Sequence, residues 1–428
     1  MHNIARALKD KGYNISGSDD EIFSPSKERL IESNIHPEKL GWYPEKINLK
    51  LDAIILGMHA KLDNPELIKA KQLNIPIYSY PEYIFEQSKN KKRIVIGGSH
   101  GKTTITSMII HVLQQLKINC DYMVGAQLEG FNNMVKLSDN SELIILEGDE
   151  YLSSPLDKRP KFHWYKPHIA VLSGIAWDHI NVFPTFNNYV EQFRKFKEMV
   201  SESLIYFKND PELIKITKGK SKCKLIPYST IDHNITHGFT YINETKLSFF
   251  GEHNLQNLNA ALIVCQEIGI TRDVFLKNIS NFKGAKNRLE IVKRKKNCAI
   301  YKDFAHSPSK VKATTISMKK QFPERKLVAC LELHTYSSLN KKFMPQYCKS
   351  LDYADIAIVY YNPKAISLKK IKELKNSEIQ EGFNKKSLLI FNDSNELEKF
   401  IRSIACENQN LLMMSSGNFD NIKIENLI

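Results

Sequence analysis

Residues 93–113 read RIVIGGSHGKTTITSMIIHVL. An apolar run, Ile94-Val95-Ile96, leads into paired glycines, then Gly101-Lys102-Thr103-Thr104, then a stretch with the apolar spacing of a helix. Strand, glycine turn and helix form the setting that a phosphate-binding loop requires. Gly98, Ser99, His100 and Gly101 supply backbone N–H groups that can close around phosphate oxygens, and the helix start adds a positive dipole. In that arrangement Lys102 reaches the β- and γ-phosphates and Thr103 offers a hydroxyl to magnesium. The strict GxxxxGK[ST] spacing is not met, because Ile96 stands where its first glycine belongs; Gly97 and Gly98 lie closer, so the loop is shorter. A chance Gly-Lys-Thr turn is the alternative, and the flanking strand and helix argue against it.

Outward from this loop, further apolar runs read as strands: 52–57, 143–148, 169–174, 204–207, 299–304, 326–333, 356–361, 388–391 and 411–416. They are continuous in apolarity, as strands buried on both faces are, and helical periods fall between them. The fold class is α/β with mostly parallel sheets. Two breaks, the basic run before Arg93 and NFKGAKNRLE at 281–290, divide the chain into domains of about 1–90, 91–286 and 287–428.

The composition narrows the class of molecule. The chain has 428 residues, 42% hydrophobic and 25% charged, which excludes disorder as the main state. No stretch approaches the ~18 apolar residues of a membrane span, and the N-terminus has no signal-peptide core. Seven cysteines stand singly with no CxxC pair, against a disulfide framework and for a reducing compartment, the cytoplasm. The net charge of +14 is spread along the chain, and no aromatic–basic motif for nucleic acid is present. The two basic runs, KNKKR at 89–93 and KRKK at 293–296, read as solvated surface at domain edges.

Other segments supply partners for a phosphate loop. LIILEGDEYLSS ends a strand at Glu147, with Asp149 and Glu150 just beyond, where an α/β sheet presents ligand groups. A carboxylate there can hold magnesium; an acidic turn in solvent is the plainer reading. SGIAWDHINVFPTF puts Asp178 and His179 at a third strand end, with His179 a metal-ligand candidate. GEHNLQNLNAA at 251–261 opens a helix with His253, Asn254 and Asn257 on its first turns. These side chains suit adenine edges or simple capping equally. Arg288 stands at a domain boundary within reach of a γ-phosphate, and Asp303 and His306 follow another strand end, suited to a ribose hydroxyl and to the transferred phosphate.

Together, in this order, these motifs resemble the Mur ligase superfamily of ATP-dependent amide-forming enzymes over nearly the whole chain. Within it, EGDEYLSSPLDKRPKFHWYKPH at 147–168 is similar to the ligases that join UDP-N-acetylmuramate to L-alanyl-γ-D-glutamyl-meso-diaminopimelate in peptidoglycan recycling. The related UDP-N-acetylmuramate–L-alanine ligases, or a non-catalytic nucleotide-binding relative, are the alternatives. The resemblance implies three domains: a Rossmann-like UDP-sugar domain (1–90), a central ATP domain (91–286) and a C-terminal Rossmann-like domain that brings the peptide and closes on ATP (287–428). It implies ATP phosphates on residues 98–104, magnesium on Thr103, Glu147 and His179, and adenine near His253, Asn254 and Asn257. It further implies that Arg288, Asp303 and His306 complete the site, with Lys102, His179, Arg288 and His306 acting on the reacting groups. The chain opens inside the expected first helix, so the resemblance also implies a natural start about a dozen residues upstream, one strand plus a turn. Asp19 is then expected to end the next strand and to face the uridine.

Overall fold

The strands form where continuous apolar runs can be covered on both faces, and a computed structural model shows how. It describes residues 1–125, 127, 131–177, 182–282, 289–369, 374–404 and 407–428. The chain divides into two compact units, one of Met1–Thr230 with Gln256–Ile279, the other of Ile231–Leu255 with Ser280–Ile428.

The first unit begins with an amphipathic helix, α1 (His2–Asp10), which buries Ile4, Ala7 and Leu8, and a short helix, α2 (Ser26–Glu32). Two short parallel strands follow, β1 (Ile54–Leu56) and β2 (Ile77–Ser79), joined through α3 (Pro65–Gln72). Asn64 caps α3, accepting hydrogen bonds from the Glu66 and Leu67 amides. Ser79 and Glu82 form a capping box at α4 (Tyr80–Glu86). The strand expected to end at Asp19 is absent, residues 14–19 being irregular. A strand needs a ladder partner for its N–H and C=O groups, and no described strand pairs with this segment.

The main sheet of this unit has seven strands in the order β5-β4-β6-β3-β7-β8-β9. They are β3 (Lys92–Gly97), β4 (Asp121–Met123), β5 (Val135–Lys136), β6 (Leu143–Glu147), β7 (Ile169–Leu172), β8 (Ser203–Phe207) and β9 (Lys224–Tyr228). All pairs are parallel except the edge pair of β4 with β5. Ile94, Val95 and Ile96 of the central strand are fully buried. The register pairs Ile96 with Glu147 and Gly97 with Leu172, so the C-terminal ends of β3, β6 and β7 lie side by side. Packed on this sheet are α5 (Lys102–Gln115), a four-residue turn α6 (Lys161–Trp164) and α7 (Phe186–Glu198). From α7, Tyr189, Phe193 and Phe196 point into the core at helical spacing, and Phe196 stacks on Phe162 of α6 at 4.5 Å between ring centres. Helices α8 (Pro211–Thr217), α9 (Glu252–Glu267) and α10 (Arg272–Ile279) follow, α9 spanning the division between the units.

The second unit holds a three-stranded antiparallel sheet of β10 (Asn234–Thr236), β11 (Phe239–Ile242) and β12 (Thr245–Lys246). Its six-stranded sheet has the order β13-β14-β18-β15-β16-β17. These strands are β13 (Glu290–Lys295), β14 (Cys298–Asp303), β15 (Lys326–Glu332), β16 (Ile356–Tyr360), β17 (Leu389–Phe391) and β18 (Gln409–Met414). Only the edge strand β13 runs antiparallel. Helix α11 (Pro308–Gln321) follows β14. The architecture is the α/β class with parallel-rich sheets that the sequence predicts.

Two expectations need correction. In KNKKR, Lys91 and Arg93 are buried, not solvated. Lys91 pairs with the buried Asp121 and Ser138 O, while Arg93 donates to Ser88 O at 2.9 Å and Tyr165 O at 2.8 Å, closing carbonyls at helix ends. KRKK at 293–296 is largely exposed, as expected, and most of it runs along the edge strand β13. Among the cysteines, Cys298 is disulfide-bonded, which single spacing along the chain does not announce. Cys120, Cys223, Cys265, Cys330 and Cys348 are free, and Cys406 lies outside the described residues. Among the described residues no helix is long and apolar enough to cross a membrane.

Candidate active site

The turn between β3 and α5 is shaped by two glycines in left-handed backbone, Gly98 at φ +114° and Gly101 at φ +78°. A Cβ at Gly98 would stand 2.7 Å from Ser173 N, and one at Gly101 3.0 Å from Asn257 Cγ. Neither position admits a side chain, which is why the loop needs glycine there. No side chain caps α5, so its first-turn N–H groups are left for a ligand or water. Ser99 N donates to Gly174 O at 2.9 Å, and Ser99 Oγ donates to Ala176 O at 2.8 Å, tying the loop to the end of β7. The Ser173 hydroxyl donates to His100 O. Thr104 is buried on the helix.

Lys102 Nζ donates to Gly98 O at 2.7 Å and to Glu150 Oε2 at 2.9 Å. Burial works against its charge, but the carboxylates of Glu150, Asp149 and Glu147 outweigh it and lift its pKa above the ordinary lysine value. Thr103 Oγ1 donates to Glu147 Oε1 at 2.9 Å, and Gly125 N donates to Glu147 Oε2 at 2.8 Å. Burial pushes the Glu147 carboxyl upward against those two hydrogen bonds and against Lys102. Asp149 is only partly buried, and Lys161, 2.6 Å away, outweighs its desolvation and holds its carboxyl below the usual range.

Magnesium prefers hard oxygen donors. The Thr103 hydroxyl and the Glu147 carboxylate are such donors, side by side beneath the phosphate loop, and a partly buried carboxylate disfavoured as an anion is suited to a cation. The residues therefore fit the ion. Among the described residues no three His, Cys, Asp or Glu side chains converge on one point.

Of the residues the sequence singles out, the fold gathers Gly98–Thr104, Glu147 and Asn257 in the first unit. Asn257 lies against the phosphate loop. His253, Asn254, Asp303 and His306 belong to the second unit. Asn254 is buried and donates to Phe250 O at 2.8 Å, a bond within its own turn. Buried Asp303 accepts from Leu289 N and Ala305 N, both at 2.7 Å. His306 Nδ1 lies 2.8 Å from Phe304 O, which can only accept, so this nitrogen carries the proton. His179 and Arg288 lie outside the described residues.

Sequence reasoning passed over Tyr189, whose hydroxyl donates to Glu150 Oε1 at 2.9 Å. It sits at an apolar position of α7 and reads as core; its only signal was a polar tip on a fully buried ring. The segment 149–162, singled out in the sequence only by its resemblance, is a hairpin. Ser153 N donates to Arg159 O, Lys161 N to Tyr151 O and Phe162 N to Asp149 O, a ladder between 2.9 and 3.0 Å. At its tip Asp157 accepts from Arg159 Nε at 3.0 Å and from Trp164 Nε1 at 2.7 Å, and the Arg159 guanidinium lies 4.0 Å from the Trp164 ring centre.

Comparison with known proteins agrees with this geometry. Residues 1–92 match the Mur ligase family catalytic domain, 96–265 the Mur ligase middle domain and 287–417 the Mur ligase glutamate ligase domain. The UDP-N-acetylmuramate–L-alanine ligase of Sulfurihydrogenibium sp. is 30% identical over 97% of this chain and 92% of its own length. Among solved structures, a UDP-N-acetylmuramate–alanine ligase from Thermotoga maritima superposes with a TM-score of 0.69 at 19% identity, covering 98% of this chain and 94% of that one. A murein peptide ligase from Psychrobacter arcticus does so with a TM-score of 0.60 at 21% identity, covering 100% and 96%. With three successive matches and a curated relative along almost its entire length, the chain belongs to the Mur ligase family, whose members are ATP-dependent amide ligases.

Proposed function

We propose that this chain joins the lactyl carboxylate of UDP-N-acetylmuramate to the free amine of L-alanyl-γ-D-glutamyl-meso-diaminopimelate in the cytoplasm, as a step of peptidoglycan recycling. The observation that carries the ATP half is the pair of contacts Lys102–Glu150 and Thr103–Glu147 at adjacent strand ends. The choice of amine is supported by the built hairpin from Asp149 to Phe162, the part of the sequence most similar to the tripeptide ligases. L-alanine as the amine is the second reading, favoured by the names of the curated relatives.

A carboxylate is a poor electrophile. Transfer of the γ-phosphoryl group to it gives an acyl phosphate; the amine then attacks the carbonyl carbon, loses a proton, and phosphate leaves. In this reading the amides of 98–104 bind the phosphates and Lys102 places its ammonium on the transferred group. Magnesium, held by Thr103, Glu147 and His179, supplies charge neutralisation there when bound. Asn257 with His253 and Asn254 lies near adenine, Asp303 takes the ribose, and Arg288 and His306 contact the transferred phosphate. The proposed division of labour is UDP-sugar on 1–90, ATP on 91–286, and peptide on 287–428.

Phosphate release with ATP, magnesium and UDP-N-acetylmuramate tests this. Release dependent on the tripeptide is expected. Release with L-alanine in preference would move the chain to the second reading, and no release with either amine would overturn both.

A further inference from the structure

The Lys102–Glu150 contact is part of a longer chain of hydrogen bonds. Glu150 is 1% exposed and Tyr189 is fully buried, so neither is a surface accident. A carboxylate has no proton to give, so Tyr189 donates its one hydroxyl proton to Glu150 Oε1 at 2.9 Å. On the other side of the carboxylate, Lys102 donates to Glu150 Oε2 and also to Gly98 O. The chain of bonds thus runs from the phosphate loop, through one buried carboxylate on the segment after β6, to one tyrosine on α7. Two of the three N–H bonds of the ammonium are directed at Glu150 and Gly98 O, which fixes the direction of the third.

We propose that Glu150 is a positioning residue for Lys102, with Tyr189 holding Glu150 in place, so that the ammonium meets the transferred phosphoryl group already aimed. This rests on the reading of the loop as the ATP phosphate site. The arrangement has an energetic signature that a general structural role lacks. A buried anion beside the loop opposes binding of a polyphosphate. Removing its charge while keeping its shape strengthens ground-state nucleotide binding and misdirects the lysine in the transition state.

The test is calorimetric titration with a non-hydrolysable ATP analogue, alongside steady-state phosphate release by the full chain. Glu150→Gln is expected to bind the analogue at least as tightly as wild type while kcat falls roughly 100-fold, the scale of a misplaced catalytic group. Tyr189→Phe is expected to move kcat the same way by roughly 10-fold, with the KM for UDP-sugar unchanged in both. Retained kcat in folded Glu150→Gln, or lost nucleotide binding with a native melting curve, overturns the proposal. Should Glu150→Gln not fold, Tyr189→Phe carries the test, and an unchanged kcat there overturns it. Failure of wild type to bind the analogue would instead remove the ATP reading on which the proposal stands.

Discussion

Lys91 and Asp121 form an ion pair with side chains 8% and 0% exposed, between the approach to β3 and the start of β4. The Ser138 amide and hydroxyl also donate to Asp121, at 3.0 and 2.8 Å, so the anion is well held and the pair fixes the edge of the main sheet. Lys91→Ala strands that carboxylate in the interior, and a loss of about 3–5 kcal/mol is expected in urea unfolding. At Lys102 a second kind of effect is added. Lys102→Ala also strands a buried carboxylate, Glu150, at a cost of about 3–5 kcal/mol, and in addition should lower phosphate release by roughly 10²–10³-fold, the scale of losing one preorganised charge in an active site. The two lysines show what a sequence reveals at this scale. Lys102 was legible because glycines, strand and helix surround it in a fixed order. Lys91 sits in a run of like charges, and only the fold discloses that one member points inward to an acid thirty residues away.

Between elements, the turn of α6 is where the hairpin meets the core. Phe162 is fully buried, stacked on Phe196 at 4.5 Å and edge-on to Phe193 at 5.5 Å. Phe162→Ala is expected to cost about 3–5 kcal/mol and, by loosening the hairpin, to raise the KM for the amine substrate, measurable by chemical unfolding and by kinetics on the same preparation. Next to it His163 stacks on Phe162 and donates from Nε2 to Gln192 O at 2.8 Å. Burial lowers its pKa, so the folded state holds it neutral while the unfolded chain takes up a proton below about pH 6.5. Folding stability should therefore decline as pH falls through and below that value, and His163→Gln should flatten this acid limb in urea titrations from pH 7 to 5. The parallel strands were readable because burial on both faces leaves continuous apolar runs. The three-stranded antiparallel sheet was not: β10 reads Asn-Ile-Thr, all exposed, and β12 is two residues long, so neither leaves a pattern.

Over the whole molecule, the order of the chain does not follow its compact units. Residues 231–255 pack with the C-terminal half, where Phe250 meets Tyr301 and Phe322 edge-on, each at 5.6 Å. A cut between 286 and 287 separates Phe250 from both partners. The fragment 287–428 is expected to show weaker near-ultraviolet dichroism and a lower melting temperature than 231–428, compared by thermal scans of the two. The family relationship was legible from motif order alone, because catalytic groups cluster at strand ends; the interleaving was not, since it depends on contacts far apart in sequence. The edge strand β13 carries a consequence of its own. Lys293 donates to Ile428 O at 2.6 Å, while Arg294 and Lys295 stand exposed along the rim of the sheet. A second molecule that tried to extend that sheet would bring its own row of cations against this one. The repulsion is screened within a Debye length of about 8 Å at physiological salt, so dilute buffers keep such molecules apart and concentrated salt removes the barrier to fibrous self-association.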